Sequence, residues 1–554
     1  MRTIVCLPVV LTAASCFAES VRWSYPPKAW PCWEMQRARA YTFDAGMNVG
    51  YPVKLADCLQ RATFRTADGR TFVVNASACD GVPCVRDEGL EVRDEFGDWV
   101  ACDIFEGTDE TPPHRLNFPS RVIRPTVTNG LYWVRGEHVA WICCRAAKRP
   151  RLYVGESAEE ALNEDPAGFE QPCVFNPTGR ANEWRSSVPL AFAYYRISGS
   201  VMDTWIETDE AQPSLVGTYS GTDARRRRIW RASAETVRLC TRRFFVDAVK
   251  RDRLPWPGDD AIGFLADAAT YRQADVARFT IDALGCARED GFLDYSPWWV
   301  ILNGLYRNLY GDLGYIRRRW KTIRVRTDHL GETQRPDGTF PSVQGRGLFI
   351  DWGERGNPTT AYNILMFAAF DHAAALAREL GETADERRWR VRAERVRTGV
   401  FARAYDAQTG LLAADLDAPR GTVYRQANIL AVNFGLVTGE KARRIADVLA
   451  ADDLPCVGTT CMIGEECVAL LGHGFDDVVR RRIDETWGEM VDRGFTTAFE
   501  HWWKDSEGAD SYRYYGRPFG MALCHVFAAG PAYLLPRIGT ADRREAPYRP
   551  KTDL

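Results

Sequence analysis

The residues best suited to chemistry crowd into one short stretch, Phe245-Val246-Asp247-Ala248-Val249-Lys250-Arg251-Asp252-Arg253-Leu254-Pro255-Trp256-Pro257-Gly258-Asp259-Asp260. Pro255, Pro257 and Gly258 forbid a continuous helix, so four carboxylates, two arginines, a lysine and a tryptophan are expected on one loop between helices. Carboxylates held close together raise one another's pKa, and adjacent guanidinium groups lower it. That mixture separates a protonated acid from ionised partners, which is what general acid–base catalysis requires. A solvated, salt-bridged turn is the other reading of the same residues. Metal chemistry has little support, because no CxxC pair occurs and the seven histidines lack ligand-like spacing. No metal and no organic cofactor is expected.

The loop closely resembles the signature of glycoside hydrolase family 78, the α-L-rhamnosidases, in which an Asp precedes an (E/K/Q)-R-(E/D)-R segment and then W-x-G-D. Asp247, Lys250-Arg251-Asp252-Arg253 and Trp256-Pro257-Gly258-Asp259 follow that pattern without a gap, in the KRDR form of one branch of the family. The resemblance implies that Asp252 is the general acid and that Asp247 and Asp259 hold sugar hydroxyls, with Arg251 beside them. An inverting glycosidase needs a base on the opposite face of the ring. Trp487-Gly488-Glu489-Met490 and Gly494-Phe495-Thr496-Thr497-Ala498-Phe499-Glu500 are similar to the family's W-G-x-M and G-A-T-T-x-W-E elements, which makes Glu500 that base.

Shorter segments agree in order along the chain. Asp294-Tyr295-Ser296-Pro297-Trp298-Trp299 and Tyr310-Gly311-Asp312 resemble third-hairpin elements, Asp351-Trp352-Gly353 a sugar-wall loop, Arg425-Gln426-Ala427-Asn428 an R-Q-x-N helix, and Leu523-Cys524-His525 an S-L-x-H element. The implied activity is one-step inverting hydrolysis of terminal α-L-rhamnosides on a rhamnosylated glycan or glycoside. Trp256, Trp298, Trp299 and Trp352 are the candidates for an apolar wall against the 6-deoxy methyl group, and Asp351 and His525 are further candidates for sugar binding. Two rivals remain. One is another enzyme on a helical toroid, an unsaturated uronyl hydrolase or a polysaccharide lyase, for which His501 and His525 are the relevant residues. The other is a silent carbohydrate-binding homologue.

These residues need a scaffold, and 554 residues are enough for two domains. From about residue 21 to 218, short alternating runs such as RTFVVNAS (70–77), LEVRDEF (90–96), RLYVGES (151–157) and FAYYRISG (192–199) predict an antiparallel β-sandwich. After the basic run DARRRRIWR, helix-period segments succeed one another, including Ala266–Cys286, Trp298–Thr327, Thr359–Leu380, Asp385–Arg403 and Gly520–Leu535. Paired helices of this number predict an (α/α)6 toroid with function in the loops at one end. The expected organisation is a signal peptide at 1–18, the β-sandwich at 19–215, a linker helix at 216–235, the catalytic toroid at 236–539 and a short tail at 540–554. The family's usual C-terminal β-domain is expected to be missing.

Charge narrows the partners. With 71 basic against 74 acidic residues the net charge is −3, so nothing in bulk points to nucleic acid, while 18 Trp and 21 Tyr suit sugar faces. The N-terminus, MRTIVCLPVVLTAASCFAES, reads as a secretory signal too short to span a bilayer. Cleavage after Ala18 predicts an exported protein, periplasmic or extracellular. The alternative is a surface lipoprotein, because Leu11 to Cys16 resembles a lipobox with its lipid anchor at Cys16. In an oxidising compartment, pairs such as Cys79/Cys84 or Cys456/Cys461 are candidates for local disulfides.

Overall fold

A computed structural model of the chain describes residues 21–32, 60–79, 81–107, 118–165, 168–285, 292–342, 347–418, 422–504 and 506–551. The expected signal, with its anchor at Cys16, lies outside these residues, and so does the side chain of Cys79. The described residues form two compact units, one from 21–32 and 60–107 and the other from 118 onward.

The first unit is all antiparallel. β1 (Val21–Tyr25) pairs with β6 (Asp103–Gly107), and a second sheet runs β3 (Thr71–Asn75), β2 (Arg61–Arg65), β4 (Glu91–Arg93), β5 (Trp99–Ala101). Alternation of apolar and polar residues places Ala62, Phe64 and Val92 on one buried face.

The second unit opens with an eight-stranded antiparallel sheet, β7 (Val122–Ile123), β8 (Thr126–Thr128), β9 (Leu131–Arg145), β10 (Arg151–Gly155), β11 (Phe175–Pro177), β12 (Glu183–Ser186), β13 (Leu190–Ser198) and β14 (Asp203–Thr208). The long β9 is its centre: its first residues pair with β8 and β13, its last with β12 and β14. The sheet buries Val134, Ile142, Phe192, Tyr195 and Ile206 in its own core. A five-residue helix, Ala158–Leu162, follows β10, capped by Ser157, whose hydroxyl accepts from the Glu160 amide.

From Ala224 the chain is helical, so a β-rich region followed by a helical region is what forms, as the two periodicities predict. Several boundaries differ from expectation. The segment 266–286 is two helices, Pro257–Thr270 and Ala274–Leu284, separated at Arg272, whose φ is 55°. The segment 298–327 is also two, Tyr295–Tyr310 and Leu313–Leu330. Gly311 at φ 80° ends the first, and Asp312 caps the second by accepting from the Tyr315 amide. Residues 520–535 are not one helix. Gly530-Pro531 interrupts them and His525 is extended, because its amide donates to the Ala498 carbonyl 3.0 Å away. The segment 540–551 is packed rather than free: Tyr548 is fully buried and donates to Glu465 (2.5 Å), and its carbonyl meets His372 Nε2 (2.9 Å). Cys456 and Cys461 are free thiols and do not pair.

Candidate active site

The acidic loop is built by its own backbone. The Asp247 amide donates to the Leu254 carbonyl (2.9 Å) and the Leu254 amide returns a bond to Asp247 Oδ1 (3.3 Å), closing the turn between them. Inside it Asp252 and Arg253 have φ of 59° and 53°, a region that Asp tolerates and Arg seldom enters. Arg253 is tied there through the Val249 carbonyl (2.6 Å) and the Pro189 carbonyl (2.8 Å). The expected loop ends earlier than Asp260. Pro257 occupies the first position of a helix, where its missing N–H costs nothing, so Asp259 and Asp260 lie in the first helical turn, where the dipole favours a carboxylate.

Burial overturns the solvated-turn reading: Asp247, Lys250, Arg251, Asp252 and Asp259 are only 3 to 8% exposed, and Glu500 only 2%. The arginine is what joins the two halves of the chain. Arg251 Nη1 lies 3.5 Å from Asp252 Oδ2 while Nη2 donates to Glu500 Oε2 at 2.5 Å, and Nε donates to the Gly520 carbonyl at 2.9 Å. Glu500 also accepts from the Tyr515 hydroxyl and from the Ala522 amide (3.2 Å). Burial pushes the Glu500 carboxyl up, but the Arg251 guanidinium, with the Tyr515 hydroxyl donating to it, outweighs burial and holds it below the usual carboxylate range. Glu500 is therefore ionised and held by three donors.

Asp247 and Asp259 behave in the opposite sense. Burial, then the charges of Asp252 and Asp259, push Asp247 well above the usual range. Asp259 is pushed up to about 7, chiefly by burial, although the Tyr295 hydroxyl donates to its Oδ2 (3.0 Å) and draws it down. His525 Nε2 faces Asp259 at 3.9 Å, and burial lowers the imidazole to about 3, so a neutral ring stands there at neutral pH. One ionised carboxylate, Glu500, thus stands with two carboxyls, Asp247 and Asp259, that burial inclines to keep their protons, a division suited to acid–base work.

Four helix N-termini frame this cluster. Pro257–Thr270 supplies Asp259, and Tyr295–Tyr310 supplies Tyr295. Arg425–Asn433 supplies Gln426, and Thr460–Gly472 supplies Thr460, which donates to the carbonyl of Phe499 (2.7 Å). The expected sugar-wall residues divide. Trp256 is buried at the helix start with Tyr295 at 5.7 Å, and Trp298 lies between Gly258 and Phe434. Trp352, 36% exposed, is edge-on to Tyr515 at 5.6 Å. Trp299 is a correction. Successive helical side chains diverge by about 100°, so it cannot share a face with Trp298; its indole donates to the Ile281 carbonyl (3.0 Å), beneath Arg326. Asp351 is another. Its carboxylate already accepts from Trp352, Gln426, Gly458 and Thr459 at 2.8–3.0 Å, which fills its lone-pair sites and makes it a brace for the loops.

Sequence reasoning missed Tyr295 and Tyr515 as acid-binding hydroxyls and Asp260 as a buried acid. Asp260 is fully buried, and neither of its oxygens has a hydrogen-bond partner among the described residues; burial and then Asp259 push it well above the usual range. The run SYRYYGRPFG was the available signal for Tyr515, an aromatic pair set between Glu500 and His525. Beside Tyr515 lies a cavity of about 590 Å³ walled by Trp352, His501, Trp502, Trp503 and Tyr514. Asp247, Asp252, Asp259 and Glu500 do not line it; Tyr515, which does, is the contact to Glu500. Among the described residues no group of three or more His, Cys, Asp or Glu is arranged to hold a metal ion, and no helix among them is long and apolar enough to cross a membrane.

Comparison with known proteins defines the class. The bacterial α-L-rhamnosidase six-hairpin glycosidase domain matches residues 215–537, more than half of the chain, and the chain belongs to that family. Among solved structures, a GH78 family rhamnosidase of Bacillus sp. GL1 is similar at 18% identity and a TM-score of 0.64, covering 73% of this chain and 45% of its own. A Klebsiella oxytoca rhamnosidase with rhamnose bound is similar at 18% identity and 0.63, covering 93% and 99%. The Streptomyces avermitilis α-L-rhamnosidase complexed with L-rhamnose is similar at 16% and 0.58, covering 85% and 51%. This chain therefore spans less than half of the Bacillus protein's length and nearly all of the Klebsiella one's, and at these identities the likeness is one of fold. No curated protein matches significantly.

Proposed function

We propose that the protein is an inverting α-L-rhamnosidase, with Asp252 as general acid and Glu500 as general base. The observation that carries this is the Arg251 bridge: Asp252 and Glu500, one from each family motif and from distant parts of the chain, share a single buried guanidinium. A guanidinium spanning both contacts holds their nearest oxygens no farther apart than about 8 Å, compatible with the roughly 6.5–9.5 Å that leaves room for an attacking water. Asp252 protonates the leaving oxygen, Glu500 takes a proton from the water, and the neighbouring carboxyls and the His525 ring serve the sugar hydroxyls and the oxocarbenium-like ring. The neutral His525 and the tyrosine hydroxyls supply donors and acceptors without adding charge beside the developing cation.

We further propose the helical part in its finer form, a linker at 216–235 and an (α/α)6 toroid over 236–539, supported by helix N-termini gathered at one site; the span 19–215, expected as one β-sandwich, divides instead between the two compact units. Export, by the signal at 1–18 or with a lipid anchor at Cys16, rests on the sequence alone. The test is a panel of aryl glycosides including α-L-rhamnoside, followed by proton NMR of the cleaved sugar. Release of rhamnose with the β-anomer first is expected. First appearance of the α-anomer would overturn the one-step mechanism, and cleavage of another glycoside in preference would overturn the substrate.

A further inference from the structure

Lys250 and its partners form a group of buried charges that the proposed mechanism leaves idle. Lys250 is 3% exposed and donates to Glu160 (3.3 Å) and the Phe519 carbonyl (2.9 Å), with Glu156 Oε2 at 3.1 Å. Both glutamates belong to the β-rich part of the second unit, at the turn into the short helix after β10. The chain is tight there: a Cβ on Gly155 would lie 2.5 Å from the Ser157 carbonyl and the Ala161 amide. Glu156 is fully buried, and its Oε1 has no hydrogen-bond partner among the described residues. Its other oxygen accepts from the Leu523 amide at 2.7 Å.

That last bond leads to the proposed base. Leu523 follows Ala522, whose amide donates to Glu500 Oε2 (3.2 Å) and whose carbonyl accepts from the Glu500 amide (3.0 Å). The segment is also held by Lys250 on Phe519, by Arg251 on Gly520 and by the Thr497 hydroxyl on the Leu523 carbonyl (2.8 Å). We propose that Glu156, with Lys250 as its counter-ion, is a positioning residue for Glu500: its hydrogen bond to Leu523 fixes the Ala522 amide against the base. A buried carboxylate is costly unless paired, and capping one amide needs no charge, so Lys250 explains why the acceptor is an acid. The inference rests on Glu500 being the base.

Glu156 is faced by Lys250, Glu160, Glu137, Arg251 and Cys524, and Glu500 by Arg251, Asp259, His501, Tyr514, Tyr515 and His525. The test compares Glu156→Leu, which deletes the acceptor, with Glu156→Gln, which keeps an acceptor oxygen and deletes the charge. Carboxyl-13C glutamate labelling, with Glu500→Gln to assign the signal, reads the ionisation of Glu500 directly. In Glu156→Leu the Glu500 titration should move upward and kcat fall about tenfold with KM within about twofold, the acid limb of kcat moving the same way. Glu156→Gln should restore both. An unmoved titration in a folded Glu156→Leu, or the same shift in both variants, overturns the proposal. If Glu156→Leu melts below the assay temperature, Glu156→Leu with Lys250→Met removes the stranded cation and carries the same comparison. A moved titration in a protein inactive on every glycoside defeats the proposed function alone. Activity on rhamnoside with an unmoved titration defeats this inference alone.

Discussion

Replacing Asp252 by Asn separates its role from those of its neighbours. The residue is 8% exposed at φ 59°, a conformation Asn adopts as readily as Asp, so the turn should survive the change. Asn keeps a carbonyl oxygen for Arg251, which stands 3.5 Å from Oδ2, and loses only the proton that a leaving group needs. General acid catalysis is worth roughly 10²–10⁴-fold, or about 2.7–5.4 kcal/mol of barrier. The loss should appear in full on an alkyl rhamnoside. On a dinitrophenyl rhamnoside, whose phenolate leaves unaided, kcat/KM should stay within about tenfold of the parent. The assay is kcat/KM across leaving groups of graded acidity. A loss of the same size on both ends of the series would refute the assignment and pass the acid role to Asp247 or to Asp259.

Other outcomes follow from the same contacts. Asp259→Asn should raise KM as well as lower kcat, since this acid is assigned to sugar hydroxyls. Because the folded pKa of Asp259 is raised to about 7, its contribution to stability is present below the unfolded-state value and is lost as pH rises through 7; urea melts of the variant should lack that decline. Tyr515→Phe deletes a hydrogen bond that favours the ionised Glu500, so the acid limb of kcat/KM should move to higher pH while neutral-pH activity falls less. Arg251→Met strands the buried Glu500 charge and should cost about 3–5 kcal/mol at pH 7. The depressed Glu500 carboxyl stabilises the fold above its unfolded-state pKa and ceases to do so as pH falls through the folded value. The gap between variant and parent in urea melts should therefore be widest at neutral pH and narrow in acid; a gap that does not change with pH would refute the Arg251–Glu500 assignment.

Local chemistry carried much of this protein into its sequence. Alternating runs became strands at Thr71–Asn75, Arg151–Gly155 and Leu190–Ser198, and the apolar period over Thr359–Leu380 is a helix of those same bounds. The order of short motifs, from Asp247 to Glu500, was legible because each depends on residue type and near spacing. What spacing could not carry is where side chains point and what they meet. Lys250 and Arg251 read equally well as solvent-facing charges, and only Glu156, Glu160 and Glu500, from distant parts of the chain, make their burial tolerable. Trp298 and Trp299 are adjacent in sequence yet turned to different neighbours by the helical rotation. Asp351 looks like a sugar ligand until three of its four donors prove to come from Gln426, Gly458 and Thr459. Residues 520–535 carry a helical period but are held partly extended, because His525 spends its amide on Ala498. For the Lys250, Arg251 and Asp351 contacts the deciding partner is far away in sequence, and a hydrogen bond or ion pair to such a partner exists only once the chain has folded around it.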